Sequence, residues 1–208
     1  MIATTLRVFF ELFKDFNDAK LFPFEVYCDL YIDRNTRCPS ILPATSYPNN
    51  YGGACPPSTF ANYGMSGYVC YVGNEEGSTG IGRSANVYYR FSLPEGTYTY
   101  ELVFKYLVYG SDGYDGGDTA LAEVSFFNEP VWRRSISKCT VDYGTVRIIS
   151  TINWPGGETE LRFRLSITGV FGGFMDHRNF TIDDVALKIM QPKQLPFIQS
   201  PSMVVLSI

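Results

Sequence analysis

Histidine is nearly absent from this sequence, with His177 the one copy in 208 residues. The five cysteines, at 28, 38, 55, 70 and 139, include no CxxC pair. A structural zinc site of the Cys/His type therefore lacks its ligands. Ser-His-Asp or Cys-His catalysis would have to use His177, which stands beside Asp176 in the glycine-rich stretch GGFMDHRN. No nucleophile-elbow or phosphate-cradling motif is present. The 21 acidic residues show no spacing that selects a glycosidase pair. The sequence reads as a binding or structural protein, not an enzyme. Positive charge is also short, with 17 Lys and Arg leaving a net charge of −4, which argues against a nucleic-acid partner. Long apolar runs are missing, and no stretch approaches the roughly 18 residues that span a bilayer. The opening MIATTLRVFFELFKDF has no basic n-region, and Glu11 and Lys14 interrupt its apolar run. It is not read as a signal peptide, and the chain is expected to be a mature or cut fragment.

Aromatic residues, glycine and proline are plentiful: 15 Tyr, 16 Phe, 19 Gly and 12 Pro. Heavy aromatic and β-branched use with frequent Gly/Pro punctuation favours many short strands. Leu6, Val8, Phe10 and Leu12 alternate with Thr5, Arg7, Phe9 and Glu11 as a strand would. A helix with Leu6, Phe9, Phe10, Phe13 and Phe16 on one side fits residues 4 to 16 nearly as well. LFPFEVYCDLYI reads as a second strand that Pro23 confines to an edge or a strand start. Residues 33 to 67 show no sustained period and are rich in proline, glycine and cysteine. They form a long excursion, expected to be functional, clamped or both.

From Tyr68 the pattern is repetitive β. YVCYVG and NVYYRFSL are short strands, and Pro94-Glu95-Gly96 is a turn. Tyr98, Tyr100, Leu102, Phe104 and Tyr106 then share one face. A strand pair follows around Asn128-Glu129-Pro130, and Pro155-Gly156-Gly157 turns the chain into ELRFRLSITGVF. There Leu161, Phe163, Leu165 and Ile167 face inward, and Arg162, Arg164 and Ser166 face out. The last patterned segment is FTIDDVALKIM, where Asp183 shares the parity of Val185, Leu187 and Ile189. Heptads, internal repeats and βαβ alternation are absent. The fold class is all-β, an antiparallel two-sheet β-sandwich. An N-terminal arm or strand occupies residues 1 to 20, the sandwich 21 to 190, and a proline-containing linker with an apolar terminal strand 191 to 208.

Cys28, Cys38, Cys55 and Cys70 lie within a loop-rich stretch and are expected to staple it, with Cys139 unpaired or bonded elsewhere. Four cysteines allow three pairings, and buried free thiols remain the other reading. Disulfides would place the chain in an extracellular or secreted setting. Asn179-Phe180-Thr181 is an N-x-S/T sequon, expected to be a surface glycan acceptor.

SANVYYRFSLPEGTYTYELVFKY, followed by FTIDDVALKI, resembles the galactose-binding-like jelly rolls. This group includes carbohydrate-binding modules and MAM adhesion domains. The Gly96, Tyr98, Tyr100, Leu102, Phe104 strand and the Ile182 to Leu187 I-D-D-V strand carry the likeness, with Phe24-Glu25 as an opening pair. The resemblance implies a jelly roll and a structural Ca²⁺ held by Glu25 and Asp183, with Asp184 a weaker candidate. Six to eight oxygens are what that ion requires. Otherwise Asp183 is a hydrated or amide-bonded rim residue. It further implies a non-catalytic carbohydrate-binding or adhesion module that meets an extracellular ligand.

Trp132, Trp154, Tyr109 and Tyr114 are the candidate sugar-stacking aromatics, with Arg133 and Asp115 as polar partners. The acidic loop SDGYDGGD that holds Tyr114 and Asp115 lacks the closing Glu and flanking helices of an EF-hand. The alternative function is a structural subunit of a filament, coat or shell. Self-association through Met203 to Leu206 and the N-terminal strand would build it.

Overall fold

The computed structural model describes residues 6–28, 39–48, 58–76, 83–110, 119–168 and 177–192. Within them lie eleven strands and one 3-10 turn at Phe60–Tyr63. The strands are β1 (Leu6–Lys14), β2 (Glu25–Cys28), β3 (Ser40–Pro43), β4 (Tyr68–Glu76), β5 (Ser84–Leu93) and β6 (Gly96–Gly110). They continue with β7 (Ala120–Phe126), β8 (Glu129–Ile136), β9 (Val141–Trp154), β10 (Gly157–Ile167) and β11 (His177–Pro192). One sheet runs β3-β4-β11-β6-β9, with β1 also on β11, and the other runs β2-β5-β10-β7-β8. All pairings are antiparallel.

From β4 to β11 the chain crosses between the sheets at every step except the β7–β8 hairpin. The resulting order, 4-11-6-9 over 5-10-7-8, is that of a jelly roll. The sandwich expected from the strand patterns is therefore the observed fold. Tyr98, Tyr100, Leu102, Phe104 and Tyr106 of β6 face Leu161, Phe163, Leu165 and Ile167 of β10 across the core. Phe104 and Phe163 meet edge to face at 5.4 Å. The expected turn at Pro155-Gly156-Gly157 forms, with both glycines at positive φ. The β7–β8 turn instead uses Phe127 and Asn128, both left-handed. Phe127 tolerates that conformation because its ring is buried against Phe126, Tyr100 and Trp154.

At the N-terminus the strand reading holds over the helix. β1 pairs with β11 of its own sheet, Phe10 and Leu12 pack on the core, and Phe16 is fully buried. The N-terminal strand thus folds back on its own sandwich, while the apolar strand at 203 to 206 lies outside the described residues. Pro23 precedes β2, which is the edge of its sheet, as its missing N–H requires.

Part of the 33 to 67 excursion is laid over the outer face of the β3-β4-β11-β6 sheet. Ala44, Phe60 and Met65 pack there with Val69, Tyr71, Leu107 and Tyr109 in a second apolar cluster. Backbone bonds from Ala44 to Gly67 and from Ala61 to Ala44, each 2.8 Å, fasten this cover. The chain is a sandwich with one face half roofed.

Candidate functional site

The roof changes the meaning of Asp183. Pairing with β6 slips by one residue between Asp183 and Ala186, and Asp184 sits at φ 49°. Such a bulge reverses the alternation downstream. Ile182 and Val185 therefore both face the sandwich core, whereas Asp183, in register with Lys105, lies on the opposite face beneath the roof. The parity expected from the sequence fails at this bulge.

Asp183 is fully buried. Its Oδ2 accepts from the Ser66 N–H at 3.2 Å and its Oδ1 from the Asp184 N–H at 2.8 Å. Burial is the dominant influence and raises its pKa to about 6, against the lowering effect of the Ser66 amide. Asp184 is half exposed and ion-pairs with Lys105 at 2.8 Å. Glu25 is exposed on the other sheet, 3.8 Å from the Arg90 guanidinium. Glu25 and Asp183 are thus not gathered at a strand crossing. Among the described residues no three His, Cys, Asp or Glu side chains converge. The implied calcium set does not fit the residues present.

The sugar-stacking candidates are mostly core. Trp132 and Trp154 are each 9% exposed and lie in the main cluster. Trp132 stacks on Phe180 at 5.8 Å and meets Phe104 at 5.6 Å. Tyr109 is buried under the roof, and burial pushes its phenol up to about 12. The reasons differ: Trp132 and Trp154 lie on the interior side of the sandwich, whereas Tyr109 is on the outer face and is covered by the roof. Arg133 is exposed and bonded to Glu123 at 2.6 Å. Tyr114 and Asp115 lie outside the described residues.

Asn179 is also fully buried, and its Oδ1 accepts from Thr181 Oγ1 at 2.9 Å. It sits within β11, in register with Tyr109, so the sequon does not mark a surface acceptor. Cys70 is a free thiol on the core face of β4 and not one of the expected staples, whereas Cys139 is disulfide-bonded, one of the two states expected for it. Cys28 is disulfide-bonded, while Cys38 and Cys55 lie outside the described residues. Burial, then the neighbouring Asp183 carboxylate, pushes the Cys70 thiol far above its ordinary range. Its alkylation in the native chain is expected to be at least about a hundredfold slower than in urea. Peptide mass spectrometry after timed labelling would measure this, and equal rates would mean that β4 opens readily.

A built cleft lies elsewhere, on the outer face of the five-stranded sheet. Along β5, Ala85 and Val87 point into the core, leaving Ser84, Asn86, Tyr88 and Arg90 outward. Along β10, Leu161, Phe163 and Leu165 point in, leaving Glu160, Arg162 and Arg164 outward. Register sets Arg164 opposite Asn86 and Tyr27, and Arg162 opposite Tyr88 and Glu25. Tyr27, Ser84, Asn86, Tyr88, Arg90, Arg162 and Arg164 line a cavity of about 420 Å³.

The Arg90 guanidinium stacks 4.7 Å from the Tyr88 ring centre and pairs with Glu160 at 3.4 Å. Glu160 also takes Nη2 of Arg162. Arg164 has no carboxylate partner among the described residues, because Glu123, its neighbour on β7, is held by Arg133. Asn86 is 5% exposed and donates to Ser84 Oγ at 3.1 Å, while its Oδ1 has no partner. The Nε atoms of Arg162 and Arg164 are buried and equally unpaired. Buried polar atoms are normally bonded, so three orphans around one cleft indicate a surface shaped for a polar ligand. The outward parity of Arg162 and Arg164 was legible in the sequence, but their apposition with Tyr27, Asn86 and Tyr88 was not.

No family model matches the sequence, and no curated protein matches it. Among solved structures the chain is similar to TmCBM61 in complex with β-1,4-galactotriose. That match has 15% identity and a TM-score of 0.40, and covers 83% of this chain and 92% of that one. It is similar to the CBM22-1 xylan-binding domain from Paenibacillus barcinonensis Xyn10C at 10% identity, TM-score 0.36, covering 91% and 99%. A third match is the enzymatically active domain of Bacteriophage CBA120 tailspike protein 4, at 11% identity and TM-score 0.39, covering 83% of this chain and 20% of that one. The jelly-roll assignment rests on the strand order and not on these likenesses.

Proposed function

We propose that this chain is a non-catalytic carbohydrate-binding module whose ligand lies across the outer face of the five-stranded sheet. The cleft between β2, β5 and β10 is the observation that carries the reading. Tyr27 is 53% exposed at its rim and can offer a ring face to a pyranose. Asn86, Ser84 and the guanidinium groups supply bonds for hydroxyls from a rigid sheet, which preorganises them. Among the described residues the lining holds no carboxylate or histidine, a composition suited to holding a sugar. The bonded state of Cys28 and Cys139 supports an extracellular setting. The resemblance of the I-D-D-V strand to galactose-binding-like modules points the same way.

Glycan-array and polysaccharide pull-down binding of the intact chain test the proposal. Binding is expected, and Tyr27→Ala should weaken it by about fivefold or more, with the thermal melt unchanged. A chain that binds no glycan, or a Tyr27→Ala variant with full affinity for every ligand found, would count against the cleft.

A further inference from the structure

We infer that the sugar bound here carries an anionic substituent, a carboxylate or a sulfate ester, seated on Arg162 and Arg164. The inference rests on the carbohydrate-binding reading of the same cleft and adds the chemical class of its ligand. A neutral glycan needs donors and acceptors in similar number, because each hydroxyl is both. Among the described residues this lining is unbalanced, with three guanidinium groups and no carboxylate of its own, Glu25 and Glu160 standing just outside it. Arg90 is occupied by Glu25, Glu160 and the Tyr88 face. Arg162 shares Glu160 through Nη2 and keeps its Nε unpaired. Arg164 has no carboxylate at all among the described residues, and its Nε is unpaired and buried.

Two residues apart on one strand, Arg162 and Arg164 project to the same side of the sheet and both line the cleft. The planar fork of arginine matches an oxyanion through two parallel N–H bonds, a geometry that a hydroxyl does not fill. The acceptor Oδ1 of Asn86, in register with Arg164, is buried and unpaired beside them. It suits a ring hydroxyl adjacent to the anionic group. The site therefore asks for one anion and one neighbouring donor, which is the pattern of an acidic monosaccharide unit.

Calorimetry on the intact chain with matched polymer pairs reads the charge requirement directly. The pairs are polygalacturonate against its methyl ester, and dextran sulfate against dextran. The expected result is binding to at least one anionic member and about thirtyfold or greater loss on its neutral counterpart. Whichever pair shows the contrast identifies carboxylate or sulfate as the source. Arg164→Gln should lose about tenfold or more, with Arg164→Lys recovering only part of it, since an ammonium lacks the fork. Arg162→Gln is a second variant, and melting curves report whether each folds. If neutral members or other uncharged glycans bind as well as anionic ones, the charge inference falls and the carbohydrate reading stands. Anionic binding that Arg162→Gln and Arg164→Gln leave unchanged is nonspecific and also overturns it. Binding to no polymer, charged or neutral, overturns both.

Discussion

Trp132→Ala is expected to lower the stability of the fold by about 3–5 kcal/mol, the range for truncating a buried aromatic. The indole is 9% exposed, stacks on Phe180, and meets Phe104 and Tyr106 edge to face at 5.6 and 4.7 Å. Its removal takes contacts from both sheets at once, since Trp132 stands on β8 and the other three rings on β6 and β11. The Arg134 guanidinium, 5.3 Å from the indole, would lose its aromatic shelf as well. Urea denaturation would measure the loss. Glycan binding, measured where the variant is still folded, should be unchanged, because Trp132 is not part of the β2-β5-β10 cleft. A variant of normal stability that no longer binds sugar would return Trp132 to a ligand role.

Asp183→Asn is the second large effect, and its signature is in the pH dependence. Burial raises the folded-state pKa of Asp183 to about 6, above the ordinary aspartate value of 3.8. The folded state therefore binds this proton more tightly than the unfolded chain does. Ionised Asp183 penalises the fold at pH above 6, and the penalty disappears as pH falls through 6 towards 4. A gap of roughly two pKa units corresponds to about 3 kcal/mol. Asparagine carries no charge at any pH, although it keeps only one acceptor for the Ser66 and Asp184 amides. Losing one of those bonds costs about 1 kcal/mol at every pH. The stability of Asp183→Asn relative to the parent should thus be about 3 kcal/mol more favourable at pH 8 than at pH 4. Denaturation series across that range would show it, and a pH-independent difference would mean that Asp183 is not charged against its surroundings.

Both predictions concern residues that sequence patterns nominated for binding and the structure assigns to packing. The place of Trp154 before the Pro155 turn and the arginines that follow Trp132 do not decide which way either ring points. The rings that cover them, Phe127 on Trp154 and Phe180 on Trp132, come from distant parts of the chain. By alternation Asp183 shares the side of Val185, and it is indeed buried, but on the other face. The surroundings were wrong, because one extra residue at Asp184 turns the strand over. The cysteines show the same limit. Proximity along the chain grouped Cys70 with Cys28, yet the core parity of β4 keeps Cys70 a free thiol.

What the sequence determined by itself was whatever depends on the two-residue period of an extended chain. The strands, several of their turns, the inward set on β6 and β10, and the outward Arg162 and Arg164 all followed from it. Side-chain alternation is local, so it survives without knowledge of neighbours until a bulge interrupts it. Tertiary structure alone decided which strands lie side by side. Tyr27, Asn86 and Arg164 are separated by 59 and 78 positions along the chain and become one row only when β5 joins β2 to β10. Strand pairing is a choice among non-local partners, made by packing of the whole core, and the cleft exists only after that choice.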